Sequence, residues 1–355
     1  MRQVFSLLTA WVLCAAVCSA QDFTLVSKLL EAEKAKNKIP GYAAAVYYRG
    51  NLLWARGSGF ADLKTKRQVR RDTPFRLASI SKPISAVALL YLFEQRKVNL
   101  RDDVRKYCPA FPQKSFPVTL EQLLMNMGGI RHYRGQEDAN NLTAYAGVVD
   151  SLKKFAQEPL AYEPGTRYLY TTYGWNLVGC AIEGASGMSF EKWLEDKIFA
   201  TVGMYQSGLD NGRGVAARRA MGYRRTADGD VEDCAYSDNS AKYPGGGIVS
   251  TVDDLARFVD GLYREQLLRR ETVDLMWTSG KTKAGKITGY GLGWSLGKAP
   301  EGDREIYHTG SQQGASTLLY LRPEERFAFV WLTNMENLPA RLPVARQIYQ
   351  MVHGK

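Results

Sequence analysis

One stretch constrains the rest of the chain: Phe75-Arg76-Leu77-Ala78-Ser79-Ile80-Ser81-Lys82-Pro83-Ile84-Ser85-Ala86-Val87-Ala88-Leu89-Leu90. Small polar residues come first, a proline falls within the opening turn, and Ile80, Ile84, Val87 and Tyr91 recur at helical spacing. The stretch therefore predicts a buried helix with Ser79 at its mouth. Residues three apart share a helix face, which brings the Lys82 amine within reach of the Ser79 hydroxyl. A serine hydroxyl is a weak nucleophile until its proton is removed, and a lysine stripped of water is pushed toward the neutral form that can remove it. Ser-x-x-Lys also occurs at Ser151/Lys154, Ser189/Lys192 and Ser295/Lys298, so the spacing alone selects nothing. Context selects Ser79. The other three lysines lie in charged or turn-like sequence, where a solvated surface accounts for them, whereas Lys82 opens a nearly unbroken apolar run.

A chain of 355 residues, 45% apolar and 23% charged, is long enough for one large domain or two intimate lobes. Residues 1–20 stand apart. Arg2 supplies a positive start, Val4 to Val17 is an apolar run short for a bilayer span, and Cys18-Ser19-Ala20 offers small residues for cleavage before Gln21. They read as a secretory signal peptide, with an uncleaved anchor as the alternative, and imply a periplasmic or secreted protein. Beyond them stand Cys108, Cys180 and Cys234, an odd number without Cys-x-x-Cys spacing, which indicates neither a disulfide framework nor a zinc site but leaves room for one bridge. The net charge of +11 is scattered rather than striped, so nucleic acid is not an expected partner, and peripheral contact with an anionic cell envelope is the most that the charge suggests.

Residues 24–38, with Leu25, Leu29 and Leu30 as the apolar set, predict an amphipathic helix ended by Pro40-Gly41. Residues 42–48 and 52–55 about Arg49-Gly50-Asn51 predict a β-hairpin. Helices are expected at 120–125, 148–157, 173–184, 190–199 and 253–262, the last capped by Thr251. Strand-like runs follow at 290–296, 305–308, 316–321 and 327–332, and a helix at 343–351 closes the chain. Strands at both ends and helices between them predict an α/β (α+β) fold. An antiparallel sheet flanked by helices comes from about 21–78 and 241–355, and a mostly helical lobe from about 79–240 is inserted, with a cleft between.

Two further places carry chemistry. Tyr170 lies where hydroxyl residues interrupt the approach to a helix, and a phenol near a cation can share its proton. His308-Thr309-Gly310-Ser311 ends a predicted strand. With three histidines, no Gly-x-Ser-x-Gly and no His-Glu-x-x-His, neither a Ser-His-Asp site nor a metal hydrolase is indicated, and no cofactor is implied.

Taken in order, Ser79-x-x-Lys82, Tyr170-Thr171-Thr172 and His308-Thr309-Gly310 resemble the serine β-lactamase and penicillin-binding protein superfamily. More narrowly, the chain is similar to the class C β-lactamase-related serine hydrolases. Leu123-Leu124 before Gly129-Ile130-Arg131-His132-Tyr133, Tyr243-Pro244-Gly245-Gly246-Gly247, Tyr290-Gly291-Leu292-Gly293-Trp294 and Leu332-Thr333-Asn334 extend the likeness over nearly the whole chain beyond residue 20. Ala78 to Lys82, Gly129 to Tyr133 and Asp238-Asn239-Ser240 resemble the mitochondrial serine β-lactamase-like proteins and their bacterial relatives. The resemblance implies a β-lactamase/transpeptidase-like fold in which Ser79 is acylated, Lys82 assists its deprotonation and Tyr170 shuttles the proton to the leaving group. It further implies that Thr172, His308, Thr309 and Gly310 bind substrate while the amides of Ser79 and Ser311 form the oxyanion hole.

Three departures bear on substrate. Thr172 replaces the usual asparagine and lacks its amide, His308 replaces a lysine and is only partly charged near neutral pH, and Asn126-Met127-Gly128-Gly129 replaces His-Thr-Ser-Gly. The resemblance thus implies a serine peptidase or esterase acting through an acyl-enzyme on a small-molecule or peptide substrate, with at most modest β-lactamase activity. A true class C β-lactamase or D-alanyl-D-alanine carboxypeptidase, or a catalytically silent scaffold homologue, are the alternatives, and the oligomeric state is not legible.

Overall fold

Helix α1 (Thr24–Lys36) leads into the hairpin of β1 (Gly41–Tyr48) and β2 (Asn51–Asp62), turned at Arg49-Gly50 as expected. The computed structural model describes residues 23–339 and 341–354, so the export segment read at residues 1–20 lies outside the described residues. Strand β3 (Arg67–Gln68) pairs with the end of β2. A short strand at Phe75–Arg76 and a single turn at Ala78–Ile80 then deliver the chain to α2 (Ser81–Glu94). The helical part includes α3 (Leu120–Leu124), opened by a capping box of Thr119 and Gln122, and α4 (Tyr173–Ser186). Helix α5 (Val252–Tyr263), capped by the Thr251 hydroxyl, returns the chain toward the sheet. There follow β4 (Ser295–Lys298), β5 (Arg304–Gln312), β6 (Ala315–Arg322), β7 (Phe327–Thr333) and α6 (Leu342–His353).

The seven strands form one antiparallel sheet in the order β3-β2-β1-β7-β6-β5-β4, so the two ends of the chain meet at β1 and β7, with Tyr42 opposite Thr333 and Tyr48 opposite Phe327. The fold is α/β with an antiparallel sheet flanked by helices. Its central strands read as unbroken apolar runs because both faces are covered. Ala43, Ala45 and Tyr47 with Ala328, Val330 and Leu332 face the larger core, which α2 and α4 share, whereas Tyr42, Ala44 and Val46 with Phe327, Phe329 and Trp331 face the core beneath α1 and α6.

Some elements differ from expectation. Helix α1 turns Val26 and Leu30 inward and leaves Leu25 exposed, because the pair four apart gives the narrower stripe that the sheet can cover. Residues 290–294 are not strand. Gly293 has φ +86° and no room for a side chain, since a Cβ there would lie 2.7 Å from that of Ala86 and 2.9 Å from the Trp175 ring, and pairing with β5 begins only at Ser295. The helix expected at 148–157 divides into Val148–Ser151 and a tight turn at Leu152–Lys154. Cys108 and Cys180 are joined by a disulfide, and Cys234 has no disulfide partner among the described residues. No helix among the described residues is long and apolar enough to cross a membrane.

Candidate active site

The turn carrying Ser79 is gripped from two sides. The Leu77 carbonyl accepts a hydrogen bond from Thr317 Oγ1 of β6 (2.8 Å), and its amide donates to the Ile248 carbonyl (2.9 Å). Gly310 of β5 lies flat against the turn, where a Cβ would sit 2.3 Å from the Leu77 oxygen and 3.0 Å from the Ala78 Cβ. Ala78 itself has φ +49°, a left-handed conformation that costs a non-glycine residue about 1 kcal/mol and clusters at functional sites. The polar residues of the apolar helix α2 are satisfied by the 244–248 segment: Ser81 Oγ accepts from the Ile248 amide (3.1 Å) and Ser85 Oγ donates to the Pro244 carbonyl (2.7 Å).

Lys82 is fully buried, and its Nζ lies 3.1 Å from Ser79 Oγ, 3.3 Å from Thr172 Oγ1 and 2.6 Å from the Gly245 carbonyl oxygen. Burial, and then the neighbouring Lys242, push its pKa well below that of a free lysine. The same nitrogen stands 4.8 Å from the centre of the Tyr170 ring, and the Ser79 side chain is within hydrogen-bonding reach of the Tyr170 phenol. Ser79 and Tyr170 therefore line one cleft of about 890 Å³, with the Lys82 amine buried against them. One detail of the sequence reading changes: the phenol is not drawn toward ionisation by a cation, because burial dominates and raises its pKa, so it holds its proton at neutral pH.

Thr172 meets Lys82 through its hydroxyl, the shorter reach expected of threonine in place of asparagine. His308, 3% exposed, lines the cleft with its ring fixed at both nitrogens. Nδ1 donates to the Thr309 carbonyl (2.8 Å), which can only accept, and Nε2 accepts from the Tyr290 hydroxyl (2.9 Å). Burial, and then Lys82, bring its pKa down to about 3, so His308 is uncharged rather than partly charged near neutral pH. Strand β4 pairs with β5 only as far as Tyr307, leaving the outer edge of β5 beyond it without a neighbouring strand among the described residues, and His308, Thr309, Ser311 and Gln312 form a wall of the cleft that contains Ser79.

Several contributors escaped the sequence reading. His132, in the quoted Gly-Ile-Arg-His-Tyr run, accepts a hydrogen bond from the Thr172 amide at Nδ1 (3.2 Å) and packs edge-on against Tyr170. Burial, and then Lys82, hold its pKa at about 4. Asn126 anchors the Tyr170 segment, its backbone oxygen taking the Leu169 amide (2.9 Å) and its Oδ1 the Thr171 amide (3.3 Å). Arg341 donates to the Gly310 carbonyl and to Ser311 Oγ, which fixes the end of β5. Lys242 reaches into the cleft two residues past the Asp238-Asn239-Ser240 run, and a lone lysine beside Pro244 and three glycines was the signal available.

A family model described as Beta-lactamase matches residues 26–350. The chain belongs to the beta-lactamase family. Human mitochondrial serine beta-lactamase-like protein LACTB is 26% identical to it over 404 aligned residues, covering 87% of this chain and 73% of that protein. Penicillin-binding protein 4* of Bacillus subtilis is 28% identical, covering 81% and 66%. Among solved structures, the octameric penicillin-binding protein homologue from Pyrococcus abyssi superposes with a TM-score of 0.80 at 24% identity, covering 93% of this chain and 78% of that one. This beta-lactamase family member is a serine hydrolase.

Proposed function

We propose that the protein hydrolyses amide, peptide or ester bonds through an acyl-enzyme on Ser79. The observation that carries the reading is the fully buried Lys82 amine 3.1 Å from the Ser79 hydroxyl. A neutral amine has two hydrogens and one lone pair; the Gly245 carbonyl and Thr172 Oγ1 take the hydrogens, and the lone pair is left to receive the Ser79 proton. Ser79 Oγ then bonds to the substrate carbonyl carbon, and the proton passes from Lys82 to the leaving group through Tyr170, whose protonated phenol suits it to donate. Water enters by the reverse relay and releases the acyl group. The amides of Ser79 and Ser311 would hold the oxyanion, donors of this kind each contributing about 3 to 4 kcal/mol.

Substrate choice follows from the departures. Thr172 cannot offer the two-sided amide contact of asparagine, and an uncharged His308 attracts no carboxylate, so β-lactam hydrolysis is expected to be modest beside esterase or peptidase turnover. A bridge joining cysteines 72 residues apart supports export through residues 1–20 into an oxidising compartment. The test is covalent labelling by a fluorophosphonate: the native protein is labelled, and Ser79→Ala, still folded by circular dichroism, is not. Undiminished labelling of the variant would overturn the assignment.

A further inference from the structure

On the opposite flank of the nucleophile from His308 stands a cation to which the mechanism gives no task. Lys242 is 5% exposed, lines the cleft, and has no hydrogen-bond or ion-pair partner for its ammonium among the described residues. The acid nearest in charge, Asp210, is already taken: Oδ2 accepts from Arg76 Nε (2.7 Å) and Asn239 Nδ2 (2.5 Å), and Oδ1 from Arg219 Nε (2.8 Å). Two arginines share that one carboxylate, so no carboxylate is left to pair directly with Lys242 among the described residues. Beside it, Gln312 Nε2 is buried without a hydrogen-bond partner among the described residues. Gly246 opens the space between the two side chains, since a Cβ there would lie 3.6 Å from both Gln312 Oε1 and Lys242 Cδ.

The place of this pair relative to the chemistry is fixed by β5. His308, Gly310 and Gln312 share one face of the strand by its two-residue period, Gly310 lies against the Ser79 turn, and His308 and Gln312 are therefore about 13 Å apart with the nucleophile between them. Lys242 belongs to the same short segment as Gly245, whose carbonyl holds Lys82. A lysine this nearly buried, whose ammonium faces the cleft without a protein partner, is costly to keep and has no packing advantage over an apolar side chain of its length. What the Lys242 ammonium lacks, among the described residues, is an anionic partner; the acid that lines the same cleft, Glu336, accepts from the Gly314 amide instead.

We infer that Lys242 and Gln312 form a subsite for a carboxylate carried by the substrate on the Gln312 flank of its scissile bond. Lys242 would supply the charge and Gln312 Nε2 a second donor, while the uncharged His308 flank takes a neutral group. Burial, and then Arg76, bring the Lys242 pKa down to about 7, with Asp210 opposing and Lys154 adding to the shift. An arriving carboxylate favours the charged form. The inference rests on the serine hydrolase reading for calling the ligand a substrate.

Binding and turnover test it separately. In Ser79→Ala protein, glutarate measured by calorimetry is expected to bind about tenfold or more tightly with Lys242 present than with Lys242→Met, and dimethyl glutarate to show no such difference. With Ser79 intact, the ratio of kcat/KM for mono-p-nitrophenyl glutarate to that for its methyl ester is expected to exceed unity about tenfold, to collapse toward one in Lys242→Met, and to be partly kept in Lys242→Arg. Because the ratio compares two esters on one protein, an altered Lys82 basicity or a misfolded fraction cancels. An unchanged ratio together with unchanged glutarate affinity in Lys242→Met overturns the subsite. Lys242-dependent glutarate binding by a protein that hydrolyses neither ester sustains the subsite and sinks the hydrolase reading instead.

Discussion

Tyr170 and His308 show how burial assigns roles to titrating side chains. Burial raises the pKa of the Tyr170 phenol, so in the proposed mechanism it gives a proton rather than taking one from Ser79, and deprotonation falls to Lys82. Tyr170→Phe is therefore expected to lower kcat/KM for an anilide by about 100-fold and for a p-nitrophenyl ester far less, because p-nitrophenolate leaves without a proton. Equal losses on both substrates would remove the relay through the phenol. His308 is neutral in the fold down to about pH 3, whereas its ordinary pKa is 6.5. Between those values the unfolded chain binds the additional proton, so the fold loses stability as pH falls through the window, at about 1.4 kcal/mol per pH unit once the unfolded imidazole is charged. His308→Gln removes that dependence, and the denaturant midpoint of the variant should fall less steeply than that of the native protein from pH 6.5 toward pH 4. Parallel curves would show that His308 is charged in the fold.

Among elements, the pairing of β5 and β6 with the Ser79 turn decides the site's geometry. A methyl group at Gly310 would collide with the Leu77 carbonyl at 2.3 Å and with Thr317 Oγ1 at 2.2 Å, and the first of these is backbone that cannot swing away. Gly310→Ala is thus expected to displace the turn and lower kcat/KM by about 100-fold, the loss typical of misplacing reacting groups by an ångström. Crystals or labelling that place Ser79 unchanged, with full activity, would refute this. The hairpin at Arg49-Gly50, the cap at Thr251 and the helix after Ser79 were legible in the sequence because each rests on contacts a few residues long. The bend at Gly293 was not, since it follows from the approach of Ala86 and Trp175, far away in the chain. The same holds within the site. Ser79 and Lys82 are three residues apart and could be paired by helix spacing, whereas Tyr170, His308 and Ser311 rested on resemblance. Lys242 and His132 acquire their positions only when residues 126–176 and 239–248 close on α2.

At the scale of the whole molecule, the sheet joins the two chain ends while the helical part, which brings Tyr170 and Thr172 to the cleft, has a covalent tie of its own. Cys180 lies in α4, two turns beyond Thr172, and Cys108 lies in the turn against which Gly184 packs so closely that a Cβ would meet the Tyr107 oxygen at 1.8 Å. Both cysteines are buried, at 0% and 3% exposure, so reductant reaches the bond only when this part opens. Closing a loop of 72 residues removes unfolded-state freedom equivalent to about 4 kcal/mol, of which native disulfides typically deliver about 2 to 4. The Cys108→Ala/Cys180→Ala double variant is therefore expected to unfold at a clearly lower denaturant concentration than the oxidised protein. Dithiothreitol should move the native protein's midpoint toward that of the variant and leave the variant where it is. A variant as stable as the oxidised protein would mean that packing of α4 against the Tyr107 turn already supplies the constraint, and a midpoint that dithiothreitol shifts equally in both proteins would place its effect outside this bond.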